Sequence, residues 1–179
     1  MAEVLASPAW RWWWPELDVA LDVSREAADV LANHRQGMRH NERGGQLFAD
    51  PRGPGAPVLA VATPPDTRDR AGPTWLELDP TRCTAEAAYW QARGLLHIGV
   101  WHTHSEKYPQ LSGQDLRSLG TYGCTNGFFP VAIIVGQDAG DDGIRAWSIR
   151  RGAAPQALRV LCQSIRGLTK ANFPEEADT

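Results

Sequence analysis

Two histidines one residue apart, at the end of an apolar run, have the types and spacing for chemistry. The run reads Leu95-Leu96-His97-Ile98-Gly99-Val100-Trp101-His102-Thr103-His104. With a period of two, Leu96, Ile98, Val100, His102 and His104 fall on one face of a strand. A half-buried neutral imidazole needs a partner for each ring nitrogen, and a metal ion supplies one to both rings of an H-x-H pair. Eight residues after His104 stands Ser112, and three later Asp115, in S-G-Q-D-L at an expected helix start. Pro109 and Gly113 turn the chain back, so that the Asp115 carboxylate can meet both imidazoles. Two nitrogens and one oxygen leave a fourth position for water. Catalytic zinc sites use such a donor set, whereas structural ones are closed by four protein ligands.

Each piece also has a plainer reading. Ser112 and Asp115 are spaced as a helix-capping pair, and an isolated H-x-H is usually incidental. The whole pattern, H-x-H-x7-S-x2-D, should arise by chance only a few times in roughly ten thousand chains of this composition. That rarity favours an open zinc site.

The stretch H-T-H-S-E-K-Y-P-Q-L-S-G-Q-D resembles the signature of the JAMM (MPN-plus, JAB-domain) metalloproteases, H-[ST]-H-P-x3-P-x2-S-x2-D. His102, Thr103, His104, Pro109, Ser112 and Asp115 match in place. Ser105 stands where the family usually has Pro, a residue that shapes the loop and ligates nothing. The resemblance extends to Glu42, which precedes Gly44-Gly45 and an apolar strand as the family's glutamate does. Taken alone, E-x-G-G is a turn before a strand. A zinc-water peptidase, however, needs a carboxylate near the metal to take the water's proton and pass it to the leaving amine. Paired glycines allow the close backbone approach this requires. His40, nearby, reads as a surface residue rather than a fourth ligand.

The resemblance implies one zinc ion per chain, held by His102, His104 and Asp115. It makes Glu42 the base and Ser112 the donor of a hydrogen bond to the oxyanion. It implies hydrolysis of the amide bond after the C-terminus of a ubiquitin-like modifier, in deconjugation or precursor processing. The short form with G-x-W-H-T-H (Gly99 to His104) looks like bacterial JAB proteins that accompany E1-like, E2-like and ubiquitin-like partners in antiphage operons. Rival readings are a JAMM peptidase acting on a sulfur-carrier precursor or phage-tail peptide, and a metal-free MPN scaffold. A scaffold has no reason to keep Glu42, His102, His104, Ser112 and Asp115 together. A thiol hydrolase on Cys124 lacks an activating neighbour, and a zinc deaminase lacks its H-x-E and P-C-x-x-C pair.

Composition sets the frame. With 179 residues, 42% hydrophobic, the chain suits one domain with a sizeable core. A net charge of −3, with no basic run, argues against nucleic acid as partner. There is no apolar run of membrane-spanning length and no signal-peptide pattern near the start. The three cysteines, Cys83, Cys124 and Cys162, form no C-x2-C pair, which suggests free thiols in a reducing cytoplasm.

The elements that must position the site follow from patterning. Residues 1–16 form a Trp-rich segment expected to pack onto the domain, with docking of a partner as the alternative. The domain spans residues 17–167, and residues 168–179 are a polar tail. A strand over residues 17–23 leads to a helix capped by Ser24 over residues 25–35. Strands are expected over 58–62 and 74–78, with a surface loop over 63–73 between them. A helix over 85–93 stops at Gly94, and another follows the motif over 113–119. Residues 131–135 read as a central strand, and Gly140-Asp141-Asp142-Gly143 as a hairpin turn to residues 144–149. Pro155 opens a last helix, with Leu158, Leu161, Cys162 and Ile165 at helical spacing. The order fits an α/β sandwich with a mixed central β-sheet flanked by helices, of the JAB/MPN-like (cytidine-deaminase-like) type that the resemblance implies. The Trp-rich segment, the 63–73 loop and residues 120–128 are candidate contacts for a modifier.

Overall fold

The computed structural model describes residues 8–121, 130–139, 143–150, 156–159 and 161–163. In chain order its elements are β1 (Trp10–Trp14), β2 (Val19–Val23), α1 (Arg25–Asn33), β3 (Gly44–Asp50), β4 (Val58–Ala62), β5 (Arg70–Gly72), β6 (Trp75–Glu77), α2 (Pro80–Gln91), β7 (Leu96–Thr103), α3 (Gly113–Thr121), β8 (Val131–Val135), β9 (Ile144–Arg150), β10 (Gln156–Arg159) and β11 (Leu161–Gln163). Nine strands make one sheet in the order β10-β9-β8-β7-β3-β4-β2-β1-β11, and β5 and β6 make a separate hairpin. The β2–β4 and β7–β8 pairs are parallel and the other pairs antiparallel, so the sheet is mixed as expected.

Helix α1 starts where Ser24 Oγ accepts the Ala27 N–H at 3.1 Å. Its Ala27, Ala28 and Leu31 bury against Trp12, Leu21, Leu47, Leu59 and Ile133 in the main core. Helices α2 and α3 pack on β7, β8 and β9. Leu119 of α3 joins Ala132, Ile134 and Trp147 in a second apolar cluster.

The Trp-rich segment, set apart from the domain by sequence, supplies β1 of the same sheet. Trp12 and Trp14 are buried and Trp13 is exposed, the alternation of a one-sided strand. Arg11 clasps Asp22 opposite it on β2, at 2.6 and 2.8 Å. The 63–73 loop ends in the hairpin strand β5. Helix α2 begins earlier than periodicity suggests, because Asp79 Oδ1 accepts the Arg82 N–H at 2.7 Å and Pro80 fits the first turn.

The expected last helix is not formed. Residues 156–159 pair with β9 and residues 161–163 with β1, at opposite edges of the sheet. Two edge strands offering free backbone groups override a short helical spacing. Residues 1–7, 122–129 (with Cys124), 140–142, 151–155 (with Pro155), 160 and 164–179 (with Ile165) lie outside the described residues.

Candidate metal centre and cleft

Strand β7 does not keep the single face that period two predicts. Leu47 pairs with Gly99 but Phe48 with His97, so β7 carries one extra residue there, a β-bulge. Gly99 has φ +152°, and a Cβ on it would stand 1.9 Å from the Val131 carbonyl oxygen. Only glycine fits. Across the bulge the parity reverses. Ile98 and Trp101 belong to the main core, with Leu96 packed against it. His97, Val100, His102 and His104 line a cleft on the opposite side.

The first turn of α3 brings Asp115 to the histidines. The Ser112–Asp115 pair forms a capping pair: the Ser112 N–H donates to Asp115 Oδ2 at 2.8 Å, and the Asp115 N–H to Ser112 Oγ at 3.1 Å. This reciprocal cap leaves the carboxylate aimed at the imidazoles. His102 Nε2 lies 3.1 Å from His104 Nε2. Asp115 Oδ1 is 3.2 Å from His102 Nε2, and Oδ2 is 3.5 Å from His104 Nε2. Donors on a tetrahedral zinc ion with bonds of about 2.0–2.1 Å stand about 3.3 Å apart. Two imidazole nitrogens turned on each other this closely need a proton or a cation between them. The donor set therefore fits zinc. Burial opposes the charge of Asp115, yet hydrogen bonds from His102, His104 and Ser112 hold its carboxyl far below the ordinary range. Burial likewise opposes protonation of His104, but Asp115, with Glu42 and Glu106 nearby, lifts it above the usual value.

Glu42 reaches the same cleft from the start of β3. Gly44 pairs with His102 and Gly45 with Trp101. A Cβ on Gly44 would lie 2.3 Å from the Trp101 carbonyl oxygen, and one on Gly45 2.1 Å from that of Thr63. The glycines thus let β3 lie tight against β7 and β4, which carries Glu42 alongside His104. Burial pushes the Glu42 carboxyl above its ordinary range, partly offset by the pull of His102 and His104.

The cleft measures about 620 Å³. Its floor is β7, with α2 and α3 at the sides. The hairpin residues Trp75, Leu76 and Leu78 supply an apolar wall beside the polar end where Glu42, His102, His104, Ser112 and Asp115 meet. All five residues singled out by sequence are brought together. Sequence reading missed what holds the wall. Arg82 is fully buried, its guanidinium paired with Asp69 and with Glu86, and donating to Thr63 Oγ1 and to the Pro64 carbonyl. It ties the 63–79 region to α2. Gln36 was also missed. Neither has a motif; the only available signal was Asp79-Pro80, which marks where α2 begins and so points Arg82 inward.

The fold is that of an α/β domain of the JAB class. A family model described as prokaryotic homologs of the JAB domain matches residues 24–150, and the chain belongs to this family. A relative from Enterobacter hormaechei subsp. hoffmannii (strain UCI 50), named CD-NTase/cGAS isopeptidase, is 38% identical over 76 residues. The match covers 40% of this chain and 42% of that relative, less than half of its length. The solution structure of a Desulfitobacterium hafniense protein superposes with a TM-score of 0.55 and 17% identity, over 76% of this chain and 88% of that one, a likeness of fold. A Salinibacter ruber protein aligns with a TM-score of 0.39 and 21% identity, over 69% of this chain and 78% of that one. Among the described residues no helix is long and apolar enough to cross a membrane.

Proposed function

We propose that this chain is a zinc-dependent JAB-family isopeptidase that hydrolyses the amide bond after the C-terminus of a ubiquitin-like modifier. The observation that carries the reading is the convergence of His102, His104 and Asp115 with Glu42 and Ser112 in one cleft. Family membership supports it, as does the Enterobacter relative, which is named an isopeptidase. E1-like and E2-like proteins are the partners such an activity calls for, with antiphage defence in the bacterial cytoplasm as the setting.

His102, His104 and Asp115 would hold the zinc ion, which supplies Lewis acidity and lowers the pKa of water toward ~7. Glu42 takes a proton from the attacking water as its oxygen joins the carbonyl carbon. The raised affinity of Glu42 for protons suits it to hold that proton and return it to the departing amine as the C–N bond breaks. Ser112 Oγ already accepts the Asp115 N–H, so its own O–H is left to donate to the oxygen that gains charge. Strand β6 pairs only with β5 among the described residues and borders the cleft. Its other edge suits an extended modifier tail added as a strand.

The test is zinc content by elemental analysis together with cleavage of a labelled peptide whose lysine Nε carries a short tail ending in Gly-Gly. Wild type should hold about one zinc and His104→Ala almost none. Glu42→Gln should keep its zinc and lose roughly 10²–10⁴ in kcat. Wild type that takes up no zinc would leave the scaffold reading in its place.

A further inference from the structure

Three stretches distant in sequence meet at one buried amide. Gln36 is 2% exposed and lies just beyond α1. Its Oε1 accepts the Thr103 hydroxyl at 3.2 Å, and its Nε2 donates to the His40 carbonyl at 2.6 Å and to the Pro73 carbonyl at 3.1 Å. Both N–H groups and the oxygen of the amide are therefore engaged. Thr103 continues the chain of bonds. Its Oγ1 accepts the Arg43 N–H at 3.0 Å, and its own N–H donates to the Arg43 carbonyl at 2.8 Å. The Glu42 N–H in turn donates to the Gly72 carbonyl at 2.9 Å, in the hairpin whose turn Gln36 holds at Pro73.

Glu42 is thus bracketed on three sides. Residue 40 is fixed by Gln36, residue 43 by Thr103, and residue 42 by the hairpin that walls the cleft. Thr103 is the residue between the two histidines, so the network refers every one of these positions to β7. We infer that Gln36 is a positioning residue that locks Glu42 and the β5–β6 hairpin to His102 and His104 as one unit. The inference rests on the reading of Glu42 as the base. Gln36 itself touches neither the imidazoles nor the cleft. No other common side chain supplies two donors and one acceptor at this reach. Glutamate would offer no donor and add a buried charge, and leucine would leave the Thr103 hydroxyl and both carbonyls without this partner.

The experiment compares Gln36→Leu, Thr103→Val and Thr103→Ser with wild type. Readouts are zinc content, amide hydrogen exchange, and kcat and KM on the Gly-Gly-tailed lysine peptide. Gln36→Leu and Thr103→Val should keep their zinc and lose on the order of 10²-fold in kcat, the usual cost of a misplacement near 1 Å. Exchange should quicken over residues 40–43 and 70–77 while β8 stays protected. Thr103→Ser, which retains the hydroxyl, should recover most of what Thr103→Val loses. Unchanged exchange and kcat in Gln36→Leu would overturn the inference. So would faster exchange spread equally over β8, which would mark mere destabilisation. If zinc-loaded wild type does not cleave the peptide, the proposed function fails separately, and the exchange pattern alone decides whether Gln36 holds the hairpin and the Glu42 segment.

Discussion

The two faces of one sheet follow opposite rules. On the face covered by α1, Trp12, Leu47, Ile98, Trp101 and Ile133 belong to the main apolar core. On the face between α2 and α3, Gln46 of β3 and His102 of β7 are buried beside a cleft, with Glu42 just ahead of β3. The first face gains free energy from every methylene removed from water. The second keeps charged and polar groups out of water, which costs free energy unless each finds a partner. Both faces run through β7, where Ile98 belongs to one and Val100 and His102 to the other, while Trp101 sits in the main core and also borders the cleft. The residues that hold this domain together and those that line its cleft are therefore separable, side chain by side chain, along much of a single strand.

The position where the two faces are joined should be the most sensitive. At Gly99 the bulge switches parity, and a Cβ would collide with the Val131 backbone at 1.9 Å while the residue sits at φ +152°. Gly99→Ala should cost on the order of 3 kcal/mol or more, by strain and by loss of the β7–β8 pairing together. It should damage core and site alike, seen as a lowered denaturation midpoint and lost zinc uptake. A variant of normal stability that binds zinc would show that the two faces do not depend on this seam.

A truncation confined to the dry face should separate them. Leu47 is fully buried and pairs with Gly99 across the strands. Leu47→Ala should cost about 2–5 kcal/mol in urea unfolding, by lost transfer energy and the cavity left behind. Below its melting temperature, the folded fraction should hold as much zinc as wild type. Loss of zinc from the folded fraction would mean the faces are coupled after all.

The same contrast explains what the sequence disclosed. The five candidate residues that meet in the cleft were legible because the chemistry proposed for them restricts residue type and spacing together: His102, His104, Ser112 and Asp115 lie within one short stretch, and Glu42 is flagged by the glycines after it. Helix α1 was legible because burial on one side leaves a period in the sequence, and β8 because a strand buried on both faces is a continuous apolar run. The face of β7 was misread at Leu96 and Ile98, since a bulge is one extra residue and looks like any other in a list of letters. The last segment was misread because Leu158, Leu161 and Cys162 have helical spacing, while the demand of two open sheet edges exists only in three dimensions. Gln36 and Arg82 were invisible for a related reason. Two of the three partners of Gln36 lie 37 and 67 residues away, and most of those of Arg82 lie 13, 18 and 19 away, and no local pattern marks them.

The smallest effect gives the sharpest test, because its sign should differ between the faces. Glu42 is 7% exposed, and burial raises its affinity for a proton above that of an unfolded glutamate. Below the ordinary glutamate range both folded and unfolded chains are protonated there, and the carboxyl costs nothing. As pH rises, the unfolded chain gives up its proton first, so stability falls through the interval between the unfolded and the raised folded value and stays lower above it. In zinc-free protein, Glu42→Gln removes that loss. The variant should be more stable than wild type at neutral pH, with the advantage fading as the pH drops toward the ordinary glutamate range. Thermal melts of both proteins, stripped of zinc, from about pH 4 to about pH 8 would read it. A Glu42→Gln protein less stable than wild type at neutral pH would mean that the carboxylate is held by its partners at a net gain, and that this face obeys the same rule as the core. A more stable one would mean the chain keeps a buried residue that weakens its fold, as the proposed role of Glu42 as a base calls for.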